Sequence, residues 1–562
     1  MRAWKRYTAL VLAVVLCMCT LAGCGSGTDG VTLSVCAGGA PESLDPIYAE
    51  NSADQTVLMS LYENLMRTTV DVSGETTVAN GIAKSVDQEE NYDGTVTYTF
   101  RLRGAKWSDG RSVKADDFVF AWQRLADPAS NSPYQSILSV VAGYDEVQET
   151  GDVSLLQVSA KNDNTFIVVL NGRYDWFLTQ VCTAPATLPL RKDVIQKWRD
   201  QMTAAQADGE EALAEVPEKW WSEVTSLVTN GPYTPAEYVP GEYLRTVSND
   251  KYYTDGSGPL ELTFRFAETA DEAWTLYEEK TVDFVWSLPV TQLAELAAAE
   301  TSALTPELGT YTVLLNSSQE VLADQAVRQA MTLVIDRNAL ARAAGAAAKS
   351  AEGLVPPGVP GADGEDFRTE NGALLDNDPD HYADLCQQAL DILSEAGYDN
   401  GRGIDGLEYY YVDEGPGAAV AVALTQMWRD TLQIQVTPVA LAAEELETAL
   451  QSGAYTLAGT WISAVGNDAE CFLMQWATDS LDNVTGYANS AYDTLLSIIA
   501  SAEDGTARMG CLHDAEALLL DDSTLAPLYT TGTSWELRER YVGVCRDARG
   551  WFSFSNVIER TT

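Results

Sequence analysis

Basic side chains and histidine are scarce in this chain of 562 residues. Lys and Arg together number 35 against 82 Asp and Glu, and with two histidines the formal net charge is −47. Such a surface repels a phosphate backbone, so the composition argues against nucleic acid as a partner. The acidic excess fits a solvated exterior, and a second interpretation, selective attraction of cationic ligands, stays open.

Short motifs that reveal catalytic or metal sites are also missing. The chain contains no HExxH, GxSxG or Walker A sequence. His381 and His513 each stand in a helical context, and neither has a partner spaced as in zinc sites. Paired acids are frequent, but in so acidic a chain they say little about catalysis. The sequence therefore predicts no enzyme, no cofactor and no metal; a secreted hydrolase would need a nucleophile beside a base.

Cysteine is sparse and scattered. Of nine cysteines, Cys17, Cys19 and Cys24 lie in the first 24 residues. The other six have no CxxC or other paired spacing, which argues against a structural zinc site. Disulfides are permitted outside the cytosol, but the sequence does not determine which cysteines pair. These six are Cys36, Cys182, Cys386, Cys471, Cys511 and Cys545.

Long apolar runs are confined to the N-terminal end. Arg2, Lys5 and Arg6 precede an apolar run at 8–21, and small residues come directly before Cys24. This arrangement is typical of a secretion signal and is too short for a stable membrane span. The sequence Leu-Ala-Gly-Cys also matches the bacterial lipobox, which implies cleavage before Cys24 and diacylation of its thiol.

The first thirty residues therefore divide into two predicted parts. Residues 1–23 are a lipoprotein signal peptide, and residues 24–30, Cys-Gly-Ser-Gly-Thr-Asp-Gly, are a lipid-anchored flexible tether. We expect the folded part to be held at the extracytoplasmic face of a bacterial cell membrane. The alternative is an ordinary secreted protein in which the cysteine is coincidental.

The segment 92–128 carries the clearest local signal in the chain. Apolar and polar residues alternate from 95 to 103, which predicts a half-buried strand. A Ser-Asp-Gly turn follows, and Asp116 and Asp117 place negative charge at the start of a helix that an Asp-Pro pair ends. The apolar face of this helix consists of Phe118, Ala121, Trp122 and Leu125.

This segment, DGTVTYTFRLRGAKWSDGRSVKADDFVFAWQRLADP, closely resembles the peptide/nickel-type (oligopeptide- and dipeptide-binding, family 5) solute-binding proteins of ABC importers. Thr-Asn-Gly-Pro-Tyr at 229–233 resembles a second family motif, in which Asn-Gly would form a tight turn between two strands. The segment 324–337 resembles a third motif, but Val321 and Leu322 stand near the place of the expected proline and phenylalanine.

The resemblance spans nearly the whole chain after the tether, and it implies a fold. It predicts an α/β, two-lobed periplasmic-binding-protein-like fold with an extra subdomain in lobe one and two hinge strands. The hinge strands should lie near 311–316 and 526–529. Lobe one would comprise residues 31–311 and 528–562, with 50–185 as the extra subdomain, and lobe two would comprise residues 316–525.

The same resemblance implies a ligand-binding cleft between the lobes. Glu50 lies in the loop before a helix predicted over 53–66. In this loop, oligopeptide-binding members carry a carboxylate that faces the ligand. An exposed loop acid is the alternative interpretation of Glu50. The residues expected to line or frame the cleft are Glu50, Asn230, Tyr233, Trp461, Ala464 and Asp468.

The segment 458–468 departs from the family pattern. Peptide-binding relatives have a similar G-W-x-x-D sequence, whose aspartate holds the ligand's terminal ammonium through a charge-assisted hydrogen bond. Counted from Trp461, that position is Ala464. A buried ammonium without a counter-charge is costly, so an ordinary free-amine peptide is not a secure ligand. A blocked or modified peptide, a different small solute, or an amine held by Glu50 or Asp468 stays open.

Together these features predict a lipid-anchored extracytoplasmic protein that performs no covalent chemistry. It would capture a peptide or similar small solute by hinge closure and deliver it to the permease subunits of an ABC transporter. A peptide-sensing surface receptor that uses the same cleft for signalling is the alternative.

Overall fold

A computed structural model describes residues 31–70, 76–207, 219–254, 258–298, 304–362, 365–502 and 504–560. The predicted signal peptide, Cys24 and the tether lie outside these residues. Within them, no helix combines the length and the apolar character that a membrane crossing requires. The six cysteines of the described chain are free thiols.

Helices and strands alternate along the chain, as an α/β fold requires. The helices are Ser52–Leu61, Ala115–Ala126, Tyr144–Thr150, Lys192–Ala207, Ala270–Glu278, Val290–Ala298, Gln325–Leu333, Arg337–Ala344, Phe367–Asn371, Tyr382–Glu395, Gly417–Met427, Ala443–Gln451, Ala469–Leu473, Ser490–Ser501 and Gly505–Asp521. The strands are β1 (Thr32–Cys36), β2 (Met66–Val70), β3 (Thr76–Asn80), β4 (Ala83–Glu90), β5 (Val96–Leu102), β6 (Val158–Asn162), β7 (Thr165–Leu170), β8 (Tyr233–Val239), β9 (Tyr243–Ser248), β10 (Glu261–Arg265), β11 (Phe284–Trp286), β12 (Thr305–Pro306), β13 (Gly309–Leu315), β14 (Lys349–Ser350), β15 (Leu407–Val412), β16 (Val436–Leu441), β17 (Leu457–Ser463), β18 (Leu525–Thr530), β19 (Gly532–Thr533), β20 (Trp535–Leu537), β21 (Tyr541–Val542), β22 (Cys545–Arg546), β23 (Phe552–Ser553) and β24 (Ile558–Glu559).

The first lobe is built on a six-stranded sheet in the order β20-β11-β1-β10-β9-β8. Strand β1 lies inside this sheet, parallel to β10 on one side and to β11 on the other. Its residues Leu33 and Val35 share one face of the strand and are buried in the apolar core of the first lobe. The C-terminal part of the chain returns to this lobe, since β20 pairs antiparallel with β11.

The segment with the clearest sequence signal contributes β5 to a separate four-stranded sheet in the order β4-β5-β7-β6. The alternation predicted for β5 is confirmed, because Val96, Tyr98, Phe100 and Leu102 are all buried. The sheet lies inside the range 50–185 that was predicted to form an extra subdomain. Its apolar core is continuous with the core of the first lobe.

The helix Ala115–Ala126 covers this four-stranded sheet. Trp122 meets Phe166 of β7 edge to face, with 5.4 Å between ring centroids. Asp117 secures the start of the helix, because its Oδ2 accepts the indole N–H of Trp107 (3.0 Å) and the backbone N–H of Lys114 (2.9 Å). The charge predicted at the start of this helix therefore has a structural role.

The second lobe contains another six-stranded sheet, in the order β14-β18-β13-β17-β15-β16. Strand β13 is buried along its whole length. It pairs antiparallel with β17 on one edge and with β18 on the other. Apolar clusters pack against both faces of this sheet, which makes β13 and β18 central elements of the lobe.

The chain crosses between the lobes through a two-stranded ribbon of β12 and β19, which pair antiparallel over two residue pairs. The hinge strands predicted near 311–316 and 526–529 are therefore misplaced, because these residues lie within the second sheet. The apolar side chains of these residues are buried in the second sheet. The chain passes between the lobes in the shorter strands β12 and β19, which have few apolar side chains. The second lobe consequently extends beyond the predicted limits of 316–525 at both ends.

Asn230 also has a different role from the predicted one. The turn between β8 and β9 lies at Gly241, whose φ is +75°, so the Asn-Gly pair does not form it. Instead the Asn230 side chain accepts the N–H of Glu63 (3.1 Å) and donates to the carbonyl of the same residue (3.0 Å). These bonds hold the chain in a non-helical path, and the helix Ser52–Leu61 ends short of the predicted residue 66.

Gly231 packs against the end of that helix, where its N–H donates to the carbonyl of Leu61 (2.9 Å). A Cβ atom at this position would lie 2.6 Å from the carbonyl carbon of Leu61 and from the nitrogen of Tyr62. We therefore expect Gly231→Ala to lower the free energy of unfolding, measured in urea, by about 1–3 kcal/mol. Gly104→Ala is the matched control, because a methyl group there meets open space. Equal stability of the two variants would contradict this account.

Candidate functional site

A hollow of about 330 Å³ lies between the two lobes beside the crossing ribbon. In hinged proteins the ligand site lies in the cleft between the two lobes, next to the segments that connect them. Movement of the lobes then opens and closes the site. The first lobe contributes Ser52, Trp286, Arg546, Ala548, Arg549 and Gly550; the segment after the ribbon contributes Glu307, Leu308 and Gly309; the second lobe contributes Trp461, Ser463 and Ala464.

Trp461 provides the aromatic surface of the second lobe. Its side chain is 43% exposed, although its ring is held edge-on by Tyr311 (5.5 Å between centroids) and by Tyr529 (5.7 Å). The two tyrosines stack on each other at 5.0 Å. An indole that is fixed in position and still exposed is suited to contact an apolar or planar part of a ligand.

Ala464 follows the end of β17 and also lines the hollow. Strand pairing sets its position, since Ser463, the last residue of β17, lies opposite Gly309 at the start of β13. The structure thus places two predicted site residues, Trp461 and Ala464, in one wall. The position that the resemblance assigns to an ammonium-binding aspartate carries a methyl group.

Asp468, the nearest acidic replacement, is occupied within its own lobe. Its Oδ1 accepts the backbone N–H of Glu470 (2.9 Å) at the start of the helix Ala469–Leu473. The same oxygen accepts Nη2 of Arg508 (2.8 Å). A carboxylate that caps a helix and pairs with a guanidinium is poorly placed to bind a ligand's ammonium, so the structure does not support that use of Asp468.

The other three predicted residues lie away from the wall of the hollow. Glu50 is exposed in the loop before the helix Ser52–Leu61, and the wall begins at Ser52. Asn230 and Tyr233 are 1% and 2% exposed inside the first lobe. Their placement indicates that they support the lobe, as the bonds of Asn230 to Glu63 show.

Ten of the twelve described lining residues were not predicted from the sequence, among them Trp286, Glu307 and Arg546. Burial raises the pKa of Glu307, and the nearby Arg546 guanidinium opposes that rise. Burial lowers the pKa of Arg546, against the pull of the Glu307 and Asp547 carboxylates. No contiguous motif marks these residues, because they come together only through the fold.

The two lobes also touch directly, through a lobe contact made of Trp176, Gln180, Asn467 and Glu470. The indole N–H of Trp176 donates to Oε2 of Glu470 (3.0 Å), and Oε1 of Gln180 accepts the backbone N–H of Asn467 (2.9 Å). Cys471 of the second lobe is buried in the apolar core of the first. The structure therefore has its lobes in contact.

A guanidinium supports the acid of this lobe contact. Nη2 of Arg508 donates to Oε2 of Glu470 at 2.7 Å and to Asp468 as well. Burial raises the pKa of Glu470, and the charge of Arg508 opposes the rise. Arg508 and Asp468 belong to the second lobe, as Glu470 does, so the bonds that orient Glu470 toward Trp176 are made within one lobe.

Comparison with known proteins decides the family. The sequence profile described as bacterial extracellular solute-binding proteins, family 5 Middle, matches residues 77–487, which is more than half of the chain. The chain belongs to family 5 of the bacterial extracellular solute-binding proteins. The resemblance inferred from the segments 92–128 and 229–233 is thereby confirmed.

Relatives in the same family carry names that refer to peptides and to a bile acid. The periplasmic oligopeptide-binding protein OppA of Haemophilus influenzae is 27% identical over 511 residues, covering 88% of this chain and 86% of its own. The probable deoxycholate-binding periplasmic protein YgiS of Escherichia coli is 27% identical over 502 residues, covering 87% and 86%.

Solved structures of family 5 proteins have the same fold. Haemophilus influenzae OppA in complex with the peptide RPPGFSPFR superposes with a TM-score of 0.71 at 25% identity, covering 94% of this chain and 99% of that one. Burkholderia pseudomallei OppA superposes with a TM-score of 0.69 at 25% identity, covering 91% and 96%. The predicted two-lobed α/β fold is confirmed.

Trp176→Phe removes the indole donor of the lobe contact and keeps an aromatic ring in place. A hydrogen bond to a charged group contributes about 1.5–3 kcal/mol, so we expect the open population of the ligand-free protein to rise about 10-fold or more. Amide hydrogen exchange over residues 466–470 measures that population, because opening the lobes frees the N–H of Asn467.

Trp274→Phe is the control for this experiment. Trp274 stacks on Tyr277 at 5.4 Å within the first lobe and takes no part in the lobe contact. Its variant should leave exchange over 466–470 unchanged. Unchanged exchange in Trp176→Phe would show that this hydrogen bond does not hold the lobes together.

Proposed function

We propose that this protein captures a peptide or a similar small solute between its lobes and delivers it to the permease of an ABC transporter. The observation that carries the proposal is the hollow whose wall is shared by both lobes and by the segment next to the crossing ribbon. Family membership supports it, and so do the peptide-binding names of relatives that cover most of this chain.

Capture would proceed by hinge closure. Trp286 and Trp461 lie on opposite lobes, so a ligand contacts both aromatic rings at once only when the lobes come together. The ligand then stabilises the closed form by the difference between its affinities for the closed and open states. The ligand leaves unchanged, in keeping with a family that is named for solute binding.

Binding should depend on the exposed indole of Trp461. Native mass spectrometry of the protein purified from its own cells should show a bound solute, and a true ligand at 100 times its Kd should raise the stability by about 2.7 kcal/mol in thermal unfolding. We expect Trp461→Ala to weaken binding about 10-fold or more, because central aromatic residues dominate binding energy.

Tyr92→Ala is the matched control for Trp461→Ala, since Tyr92 is a fully exposed aromatic residue in a turn of the four-stranded sheet. The Tyr92→Ala variant should bind the ligand with the same affinity as the unaltered protein. Equal affinity in both variants would place the ligand elsewhere. No bound solute, together with no thermal response to any peptide pool, would argue against the proposed function.

The proposal includes attachment to the extracytoplasmic face of the membrane through a diacylated Cys24. We expect Cys24→Ser to move the protein from the membrane fraction to the soluble fraction, because a dual-chain anchor provides the binding. Immunoblots of the two fractions measure this, and the mass of the N-terminal peptide identifies the lipid. Cys386→Ser, in the second lobe, should stay with the membrane. Retention of Cys24→Ser in the membrane would contradict the anchor.

Import and sensing differ in what happens after capture. Deletion of the gene should abolish uptake of the radiolabelled solute if the protein serves an importer. Undiminished uptake, combined with loss of a transcriptional response to the solute, would favour the peptide-sensing receptor.

A further inference from the structure

The wall of the hollow holds a cation to which the described residues of the chain offer no hydrogen-bond acceptor. Arg546 lies on β22, opposite Phe552 of β23, and lines the hollow from the first lobe. Its Nε is buried and has no hydrogen-bond acceptor among the described residues. Burial lowers the pKa of Arg546, which shows that the wall leaves its charge poorly solvated.

A second donor in the same wall is also unused. Trp286 packs edge-on against Phe552 at 6.0 Å between centroids, and its indole Nε1 is buried without an acceptor in the described chain. A buried donor that remains unpaired is unfavourable, because nothing replaces the hydrogen bond it made to water. Both buried unpaired side-chain atoms among the described lining residues, Arg546 Nε and Trp286 Nε1, are donors, so the wall favours a ligand that brings acceptor oxygens.

The hollow is poorly equipped for a free ammonium. Ala464 offers no charge, and Asp468 is engaged by Arg508. Glu307 is the remaining acid among the described lining residues, and burial raises its pKa, which disfavours its charged form. A ligand ammonium near Glu307 would also be repelled by the Arg546 guanidinium on the facing lobe.

Arg549 also lines the hollow, but it does not change the charge that the wall offers to a ligand. Its Nε donates to Asp547 (2.8 Å), Nη1 donates to the carbonyl of Gln180 (2.6 Å) and Nη2 donates to Thr183 Oγ1 (2.6 Å). Its charge is therefore paired with Asp547, and each of its three nitrogens already donates within the first lobe. Among the described residues of the wall, Arg546 is left as the cation available to a ligand.

We propose that the hollow binds its ligand by a carboxylate, held by Arg546 and Trp286, with an apolar body against Trp461. This inference rests on the proposed function and specifies the ligand chemistry of the same site. A carboxylate on an apolar body occurs both in peptides whose amine is blocked and in non-peptide carboxylic acids. Charge-assisted bonds to a guanidinium in a partly dehydrated wall would supply the selectivity.

Four matched probes test the proposal by isothermal titration and thermal shift on the purified protein. The peptide probes are a tripeptide library with acetylated amines and free carboxylates, and the same library with free amines and C-terminal amides. The non-peptide probes are 3-phenylpropionate and 3-phenylpropylamine. We expect a response to at least one of the two carboxylate probes, whose identity tells the sources apart, and a response at least about 10-fold weaker to its amine counterpart.

Substitutions of the lining residues test whether the wall causes the preference for a carboxylate. Arg546→Gln should weaken binding of the responding carboxylate about 10-fold or more, and Arg546→Lys, which keeps the charge but loses the fork of donors, should have an intermediate affinity. Glu307→Gln should leave the affinity equal or raise it, because a competing acid is removed. Arg540→Gln is the control, since Arg540 is exposed and pairs with Asp283.

The possible outcomes separate this inference from the proposed function. A preference for the amine probes that Glu307→Gln abolishes would overturn the carboxylate assignment and leave solute capture intact. Carboxylate binding that is unchanged in Arg546→Gln and in Arg546→Lys would also overturn it. No response to any of the four probes would count against the proposed function and against this inference together.

Discussion

The pairing of β12 with β19 determines how the two lobes of this protein are joined. Each lobe has its own six-stranded sheet and its own buried clusters, whereas the ribbon between them consists of two residue pairs. So short a connection constrains the angle between the lobes only weakly. The side-chain bonds of the lobe contact, from Trp176 to Glu470 and from Asn467 to Gln180, therefore set how closely the lobes approach.

The lobe contact and the wall of the hollow share a segment of the first lobe. Gln180 accepts the N–H of Asn467 with its side chain, and its backbone carbonyl accepts Nη1 of Arg549. Arg549 belongs to the same C-terminal stretch as Arg546, which faces the hollow. A ligand held by this C-terminal stretch is therefore connected, through Gln180, to the Gln180–Asn467 hydrogen bond between the lobes.

Local pattern and resemblance predicted those parts of the molecule that consecutive residues define. The alternation in β5 and the apolar face of the helix after it are properties of one short segment, and Trp461 and Ala464 follow from a single motif. The crossing was misplaced, because an apolar strand looks the same in sequence whether it bridges two lobes or lies central in one sheet. Glu307 and Arg546 were missed, since only the tertiary fold brings the two segments to one wall.

Strand β1 lies between two strands that follow much later in the chain, and it pairs with β10 from Thr32 to Val35 and with β11 at Val35 and Cys36. Any pull on the chain ahead of Thr32 acts along β1, parallel to the strands beside it. Such a load is shared by several backbone hydrogen bonds in shear, and none of them is peeled open in turn. Tension ahead of Thr32 would therefore be distributed over the sheet of the first lobe, including β11, whose Trp286 lines the hollow.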